Sequence, residues 1–170
     1  MTRPGKRAQF DELVSASLPA ALRFAVRLTG RLDKAEEVVQ EAMLSASRSW
    51  KTYRGDSQFQ TWLFRIVVNT FRSWLARPAV PKTLALDVVD PSQRSPSEAA
   101  SAGELSETVA ACVADLPLRQ REVVVLSVYE GLDAGQIAKV LSMSIENVYS
   151  TLSVARAKLR RQLGAYLAEK

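Results

Sequence analysis

The segment FQTWLFRIVVNTFRSWL, residues 59–75, contains four side chains that could hold an unstacked nucleic-acid base. Helical periodicity places Trp62, Arg65, Asn69 and Arg72 on one narrow face, which Ser73 shares. We name this face the aromatic–basic stripe. An exposed indole ring stacks on a base while cations hold the phosphates, and a side-chain amide offers a donor and an acceptor to a base edge. The alternative is that Trp62 only covers the core at the start of the helix.

The wider side of the same helix is apolar and is predicted to be core. Its members at helical spacing are Leu63, Ile66, Val67, Thr70 and Trp74, with Phe64, Val68, Phe71 and Leu75 beside them. The stretch from Trp50 to Trp74 holds seven of the chain's twelve aromatic residues. We therefore expect an aromatic-rich core that carries one outward-facing stripe.

The preceding predicted helix carries a compact acidic and polar cluster: Glu36, Glu37, Gln40 and Glu41. We name these four residues the acidic patch. Acids in the first turn favour the helix dipole, which is an ordinary structural role for Glu36 and Glu37. Gln40 and Glu41 lie beyond that turn. Because negative charge repels phosphates, we expect the patch to meet a basic protein surface rather than DNA.

A helix, a short turn at Ser142–Ser144 and a second helix are predicted within residues 132–163. On the second helix, apolar side chains at spacings of four, three and four would pack inward: Val148, Leu152, Ala155 and Leu159. The opposite face carries Glu146, Tyr149, Ser150, Ser153, Ala157, Arg160 and Arg161. A face that is small and polar near its start and basic toward its end suits a DNA major groove and its phosphates. The competing interpretation is a plain helical hairpin with a solvated face.

The composition makes catalysis a poor first hypothesis. The chain has no histidine and no Gly-rich phosphate loop, so His-activated nucleophiles and the common zinc arrangements are unavailable. Asp56 and Glu146 are too far apart in sequence to suggest a metal pair. We predict no catalytic residue, no metal and no cofactor. The single cysteine, Cys112, and the lack of a secretory signal at the start fit a reducing cytoplasm, and no apolar run is long enough for membrane insertion.

The elements that must position these residues are predicted to be helices in two small domains. Four of the seven prolines lie within residues 78–97, which is typical of a linker. We therefore predict an N-terminal domain at 8–76, a flexible linker at 77–98 and a C-terminal domain at 99–168. Helical spacing recurs throughout without strand-like alternation, so the fold class is all-α. Residues 1–76 and 117–170 carry net charges of +5 and +3 around an acidic segment of −3, which suggests two contacts with a polyanion.

Several helix boundaries can also be predicted. The first helix is expected from Phe10 to Leu28 with an interruption near Pro19, and the second after Asp33, with Glu36 completing a capping box. Gly131 suits a helix end. A second capping box is expected at Asp133 and Gln136, and Pro117 suits a first helical position.

Three stretches together resemble the extracytoplasmic-function subfamily of the sigma-70 family of bacterial RNA polymerase sigma factors. They are KAEEVVQEAM, YRGDSQFQTWLFRIVVNTFRSWL and LPLRQREVVVLSVYEGLDAGQIAKVLSMSIENVYSTLSVARAKL. The resemblance covers about residues 10–76 and 100–165, in the family's order. It implies a promoter-melting domain (region 2) and a helix-turn-helix domain (region 4). It also implies transcription initiation at particular promoters, in a complex with core polymerase and promoter DNA.

The resemblance assigns roles to three groups of residues. The acidic patch of Glu36, Glu37, Gln40 and Glu41 would dock on the coiled coil of the polymerase's largest subunit. The −10 element would be read by Tyr53, Arg54, Asp56, Ser57, Trp62, Arg65, Asn69 and Arg72, with Asn69 lining a pocket for a flipped base. The −35 element would be bound by Glu146, Asn147, Tyr149, Ser150, Ser153, Arg156 and Arg160. Lys34 stands where the family usually has an acid, and Tyr149, Thr151 and Val154 stand where it usually has basic residues.

The family implies a dissociable specificity subunit that performs no chemistry itself, for which an anti-sigma factor is a common further partner. The alternative is a stand-alone helix-turn-helix transcription regulator. Such a regulator would need neither an acidic polymerase-docking patch nor an exposed Trp62, so binding to core polymerase separates the two hypotheses.

Overall fold

The computed structural model describes residues 6–78 and 100–168, and every regular element in these ranges is a helix. The elements are α1 (Lys6–Thr29), α2 (Leu32–Ser49), a short 3-10 turn (Trp50–Thr52), α3 (Phe59–Leu75), α4 (Ala100–Ala114), α5 (Leu118–Val124), a π-helical segment (Val125–Tyr129), α6 (Ala134–Leu141) and α7 (Ile145–Ala168). The all-α prediction is confirmed, whereas residues 79–98 of the predicted linker lie outside the described ranges.

Helices α1, α2 and α3 pack into an N-terminal bundle around an apolar core. Phe24 of α1 and Phe64 of α3 are fully buried with ring centroids 4.6 Å apart. The wide side of α3 is core as its spacing predicts, since Leu63, Val67 and most of their neighbours are buried. At the end of that side Leu75 is 49% exposed.

The C-terminal bundle, α4 to α7, contains the predicted helix-turn-helix. Helix α6 begins with the expected capping box, in which the Asp133 carboxylate accepts from the Gln136 backbone N–H and the Gln136 side chain accepts from the Asp133 N–H. The turn contains Ser142 in the left-handed region at φ 53°. Val148 and Ala155 of α7 are buried. They lie on the inward face that the sequence pattern predicts.

Two boundary predictions in the N-terminal bundle are wrong. Helix α1 continues through Pro19, because buried residues on both sides of it, such as Ser17 and Ala20, keep the helix against the bundle. The N-terminal capping box at Asp33 is also absent. Its carboxylate accepts two hydrogen bonds from the Arg31 guanidinium, at 3.0 and 2.7 Å, and Arg31 itself occupies the N-cap position without a side-chain cap.

Pro117 directly precedes α5 as its N-cap residue instead of forming its first turn. Gly131 ends the helical run that α5 begins. Its φ is +66°, a conformation that glycine adopts without strain. Between Pro117 and Gly131, α5 is followed by the π-helical segment. There the Glu130 N–H donates to the carbonyl of Val125, five residues back, at 3.1 Å. This wide turn brings Tyr129 and Glu130 next to α1, where Arg27 contacts both.

The two bundles pack against each other, with α3 next to α6 and α1 next to α4 and α5. This arrangement determines how much of the N-terminal bundle's outer face stays accessible.

Candidate functional site

A cluster of aromatic rings supports the loop that precedes α3. Tyr53 stacks on Trp50 with centroids 5.4 Å apart and lies 5.1 Å from Trp62, which in turn contacts Phe59 at 5.3 Å. The Tyr53 hydroxyl donates to the Ser57 carbonyl at 2.7 Å, so the ring ties the two ends of the loop together. Burial, followed by the negative charge of Asp56, raises the pKa of Tyr53 above its ordinary value, and the phenol is therefore a neutral donor at physiological pH.

Trp62 belongs to this cluster and is half-buried. One part of the ring covers the core, and another part lines an open cleft of about 290 Å³. The cleft is bounded by the loop residues Arg54, Asp56 and Ser57 and by Arg65 of α3. An aromatic wall beside two guanidinium groups is the combination that single-stranded nucleic acid requires.

The far end of the aromatic–basic stripe is not free. Arg65 and Asn69 are exposed, but Arg72 donates to both carboxylate oxygens of Glu122 in α5, with Nε 2.8 Å and a terminal nitrogen 2.6 Å away. Arg119 approaches the same carboxylate at 3.5 Å. The Glu122 side chain is fully buried, so the fold must supply it with a cation. The expectation that Arg72 faces outward like Arg65 is therefore wrong in this structure.

The acidic patch lies along an open groove between α2 and the end of α3. Glu36, Glu37 and Gln40 are exposed, as expected. Glu41, which also lines this groove, pairs with Arg77. Lys34 lies at the edge of the groove, with its Nζ 3.3 Å from Glu37 and 5.2 Å from the centre of the Trp74 ring.

The groove contains a residue that the sequence argument missed. Leu44 is 60% exposed and lines the groove with Glu37, Gln40 and Glu41. It follows them at helical spacing, so the same periodicity that defined the acidic patch could have found it. An exposed leucine beside acids is typical of a protein-binding surface with an apolar anchor.

The predicted −35 residues form one continuous outer face of α7. All of them are exposed: Glu146, Asn147, Tyr149, Ser150, Ser153, Arg156 and Arg160. Tyr149 is 62% and Val154 is 57% exposed, which makes the middle of this face more apolar than its basic end. Ser144 caps the helix, since its hydroxyl accepts from the Asn147 backbone N–H at 3.1 Å.

Within residues 6–78 and 100–168, no cluster of three or more histidine, cysteine, aspartate or glutamate side chains could hold a metal ion. In the same ranges no helix is both long and apolar enough to span a lipid bilayer.

Two family models match the chain, one over each bundle. Residues 13–79 match sigma-70 region 2, and residues 106–159 match sigma-70 region 4. The second match contains α6, the turn and α7 as far as Leu159, and the first contains α2, the loop and α3.

Individual relatives match over nearly the full length. The chain is 32% identical to the RNA polymerase sigma-H factor of Pseudomonas aeruginosa, covering 97% of this chain and 91% of that one. It is 34% identical to the ECF RNA polymerase sigma factor SigM of Mycobacterium tuberculosis, covering 94% and 80% respectively.

Two solved structures have the same fold. CnrH, solved in complex with the cytosolic domain of CnrY, superposes with a TM-score of 0.67 at 29% identity, covering 95% of this chain and 91% of that one. The sigma factor RpoE of Bartonella quintana, solved with the anti-sigma factor NepR, gives 0.70 at 24% identity, covering 92% and 97%, and shows the shared fold. From its two matched regions and its full-length relatives, the chain belongs to the extracytoplasmic-function subfamily of the sigma-70 family of RNA polymerase sigma factors.

Proposed function

We propose that this sigma factor directs transcription initiation through three surfaces, each of which binds a different part of the initiation complex. The observation that carries the proposal is the cleft at Trp62, where an aromatic wall and two guanidinium groups converge; Asn69 is exposed farther along the same helix. The chain acts by binding and performs no chemistry of its own. Because bacterial transcription takes place in the cytoplasm, we expect it to act there.

The first surface binds the −10 element as a single strand. The half-buried Trp62 is held rigidly by Tyr53 and Phe59, so stacking a base on its open part costs little side-chain entropy. Arg54 and Arg65 line the cleft and supply charge for the phosphates. Asn69 is exposed on the same helix, where its amide can read the edge of a base that has left the duplex.

The second surface docks on core RNA polymerase. The acidic patch and Leu44 offer charge around an apolar anchor, and the partner proposed from the family resemblance is the coiled coil of the polymerase's largest subunit. Lys34 pairs with Glu37 and Arg77 pairs with Glu41, so we assign most of the polar contact to the exposed Glu36 and Gln40.

The third surface is the outer face of α7, which is proposed to bind the −35 element in the major groove. Asn147, Ser150 and Ser153 lie near the base edges, and Arg156 and Arg160 lie near the phosphates. An anti-sigma factor that silences the protein would have to cover one or more of these three surfaces. The similar sigma factor RpoE of Bartonella quintana was solved in complex with an anti-sigma factor, NepR.

The decisive experiment is run-off transcription with purified core polymerase on a library of promoter sequences. The expected result is a family of transcripts that share −10 and −35 elements and that need both this protein and core polymerase. Permanganate reactivity of promoter thymines then shows strand opening. DNA binding without any association with core polymerase would instead support a stand-alone regulator. No observation on the described residues favours that alternative.

A further inference from the structure

The outer face of α7 carries an exposed apolar side chain in the middle of its proposed DNA contact. Val154 is 57% exposed, and residues 145–155 contain no lysine or arginine. We propose that Val154 selects a thymine in the upstream promoter element, by packing its methyl groups against the C5-methyl group of that base. This inference rests on the proposed −35 function of α7.

The position of Val154 along α7 belongs to the part of the helix that reads bases. Asn147, Ser150 and Val154 follow one another at spacings of three and four, so they form one line along the helix surface. Val154 lies in the third turn of α7, which begins at Ile145. In a helix-turn-helix the first turns of the recognition helix approach the base edges in the major groove. Val154 therefore precedes Arg156 and Arg160, which are proposed to hold phosphates.

The neighbours of Val154 on this face leave its methyl groups standing out. Ser150 lies one turn before it and Ala157 one turn after it, and both are small and exposed. The Ser150 hydroxyl donates to the Asn147 carbonyl at 3.2 Å, so it is turned back toward its own helix. Because a β-branched side chain in a helix has one strongly preferred rotamer, the valine methyl groups have a fixed direction before DNA binds. Packing them against a base then costs little side-chain entropy.

The chemistry of the major groove matches such a side chain to thymine. Thymine alone among the four bases presents a methyl group there, whereas guanine presents two acceptors that arginine or lysine typically binds. Since residues 145–155 carry no cation, the first three turns of α7 lack the side chains that most often select guanine. A valine forms no hydrogen bond with any base edge, so apolar contact is the means by which it can distinguish one base pair from another.

The experiment removes that single methyl group from the DNA. The holoenzyme, reconstituted from the full chain and core polymerase, first selects its preferred upstream element from promoters randomised at that position. Each thymine of the selected element is then replaced in turn by deoxyuridine, which keeps the base pairing and lacks the C5-methyl group. Affinities are compared by competition at one salt concentration. For the parent protein, one of these replacements should weaken binding about four-fold, the effect of removing one methyl group from an apolar contact.

Three variants assign the effect to Val154. Val154→Ala should bind the thymine and deoxyuridine duplexes equally well at that position, with a Tm close to the parent's because the side chain is exposed. Val154→Arg should shift the selected base toward guanine. The matched control is Val128→Ala, which removes an equally exposed valine, 60% exposed, from the π-helical segment outside the three proposed binding surfaces. It should keep the four-fold sensitivity of the parent.

The inference is overturned if the selected upstream element tolerates deoxyuridine at every thymine, or if Val154→Ala shows the same loss as the parent. Equal loss in both proteins would mean that the methyl group acts through the shape of the DNA. A holoenzyme that selects no upstream sequence at all would overturn the −35 function of α7, and the role of Val154 with it. A clear upstream preference without sensitivity to the thymine methyl group would overturn only the role of Val154.

Discussion

Single residues decide how the Trp62 cleft can work, and Asn69 is the clearest case. Its side chain is exposed on α3, whereas Trp62 is partly built into the aromatic cluster. Replacing Trp62 would therefore disturb both the fold and the DNA contact. A change at Asn69 isolates the DNA contact.

We expect Asn69→Ala to leave the Tm within about 1 °C of the parent, because an exposed side chain away from a special contact contributes little stability. With core polymerase, it should relax the preference for one base of the −10 element by about 1–3 kcal/mol. Run-off transcription on promoters varied at each −10 position measures this. Ser73→Ala, one turn farther along the same exposed side, is the control and should change neither property. Unaltered base preference in Asn69→Ala would remove Asn69 from the reading site.

Glu130 is a carboxylate that the fold leaves poorly solvated. Its side chain is 7% exposed, and its Oε1 has no hydrogen-bond partner. Burial raises the pKa of Glu130 above its ordinary value, by more than the nearby charges of Arg27 and Arg23 lower it. A carboxyl with a higher pKa in the folded chain favours folding below its ordinary pKa, and this contribution is lost as pH rises through the raised pKa.

We therefore expect Glu130→Gln to have a higher Tm than the parent at about pH 7, because the amide keeps the shape without the buried charge. The difference should shrink toward about pH 4, where the parent's carboxyl takes up its proton. Thermal melts followed by circular dichroism across this range measure it. A variant that is less stable than the parent at neutral pH would mean that the pairing with Arg27 outweighs the cost of burial.

At the scale of elements, α2 carries the proposed polymerase contact on a face that contributes little to its own folding. Leu44 is 60% exposed and lines the acidic groove, while Leu32 is 57% exposed at the start of the same helix, outside that groove. Comparing substitutions at Leu44 and Leu32 therefore distinguishes a role in docking from a general effect of surface hydrophobicity.

Leu44→Ala should preserve the helical signal and the Tm, because the side chain buries little area in the free protein. The binding free energy of this variant for core polymerase should be weaker by about 1–2 kcal/mol, as expected for the loss of an apolar anchor at an interface. Leu32→Ala should leave this affinity unchanged. Equal effects of the two variants in a titration with labelled core polymerase would count against the groove as the docking surface.

Helix α7 divides into a part that reads bases and a part that holds phosphates. Removing Arg160 near its basic end should weaken DNA binding on all sequences and reduce the salt slope by about 0.9, the value of one phosphate contact. Ser153→Ala, on the same exposed face, should change the preferred upstream sequence and leave the salt slope alone. Affinity measured against salt concentration on two upstream sequences distinguishes the variants, and the opposite pattern would mean that α7 lies differently in the groove.

At the scale of the whole molecule, sequence periodicity predicted local structure well and contacts between distant segments poorly. The core side of α3 and the capping box at Asp133 depend on neighbours within one or two turns, and both predictions are confirmed. The partnership of Arg72 with Glu122 joins residues 50 positions apart. No helical pattern within either segment encodes that distance, so Arg72 was predicted to be free.

The two wrong boundary predictions in the N-terminal bundle have the same origin. Pro19 carries a helix-breaking tendency that packing on both of its sides overrides. Aspartate is a common helix-capping residue, but the carboxylate of Asp33 instead accepts hydrogen bonds from the guanidinium of Arg31. The hydrogen bond to Arg31 lowers the pKa of Asp33, which fits a carboxylate committed to a neighbouring side chain.

The π-helical segment Val125–Tyr129 has a consequence for how this protein tolerates changes of length. A π turn is an α-helix with one residue inserted, held by a bond that spans five residues instead of four. Deleting one residue there would restore an ordinary helix and rotate the downstream residues by about 100° relative to α5. Tyr129 and Glu130 would then turn away from Arg27, while the helix-turn-helix kept its own internal contacts. Insertions and deletions in this five-residue stretch would thus alter how strongly the two bundles are coupled without altering which DNA each can bind.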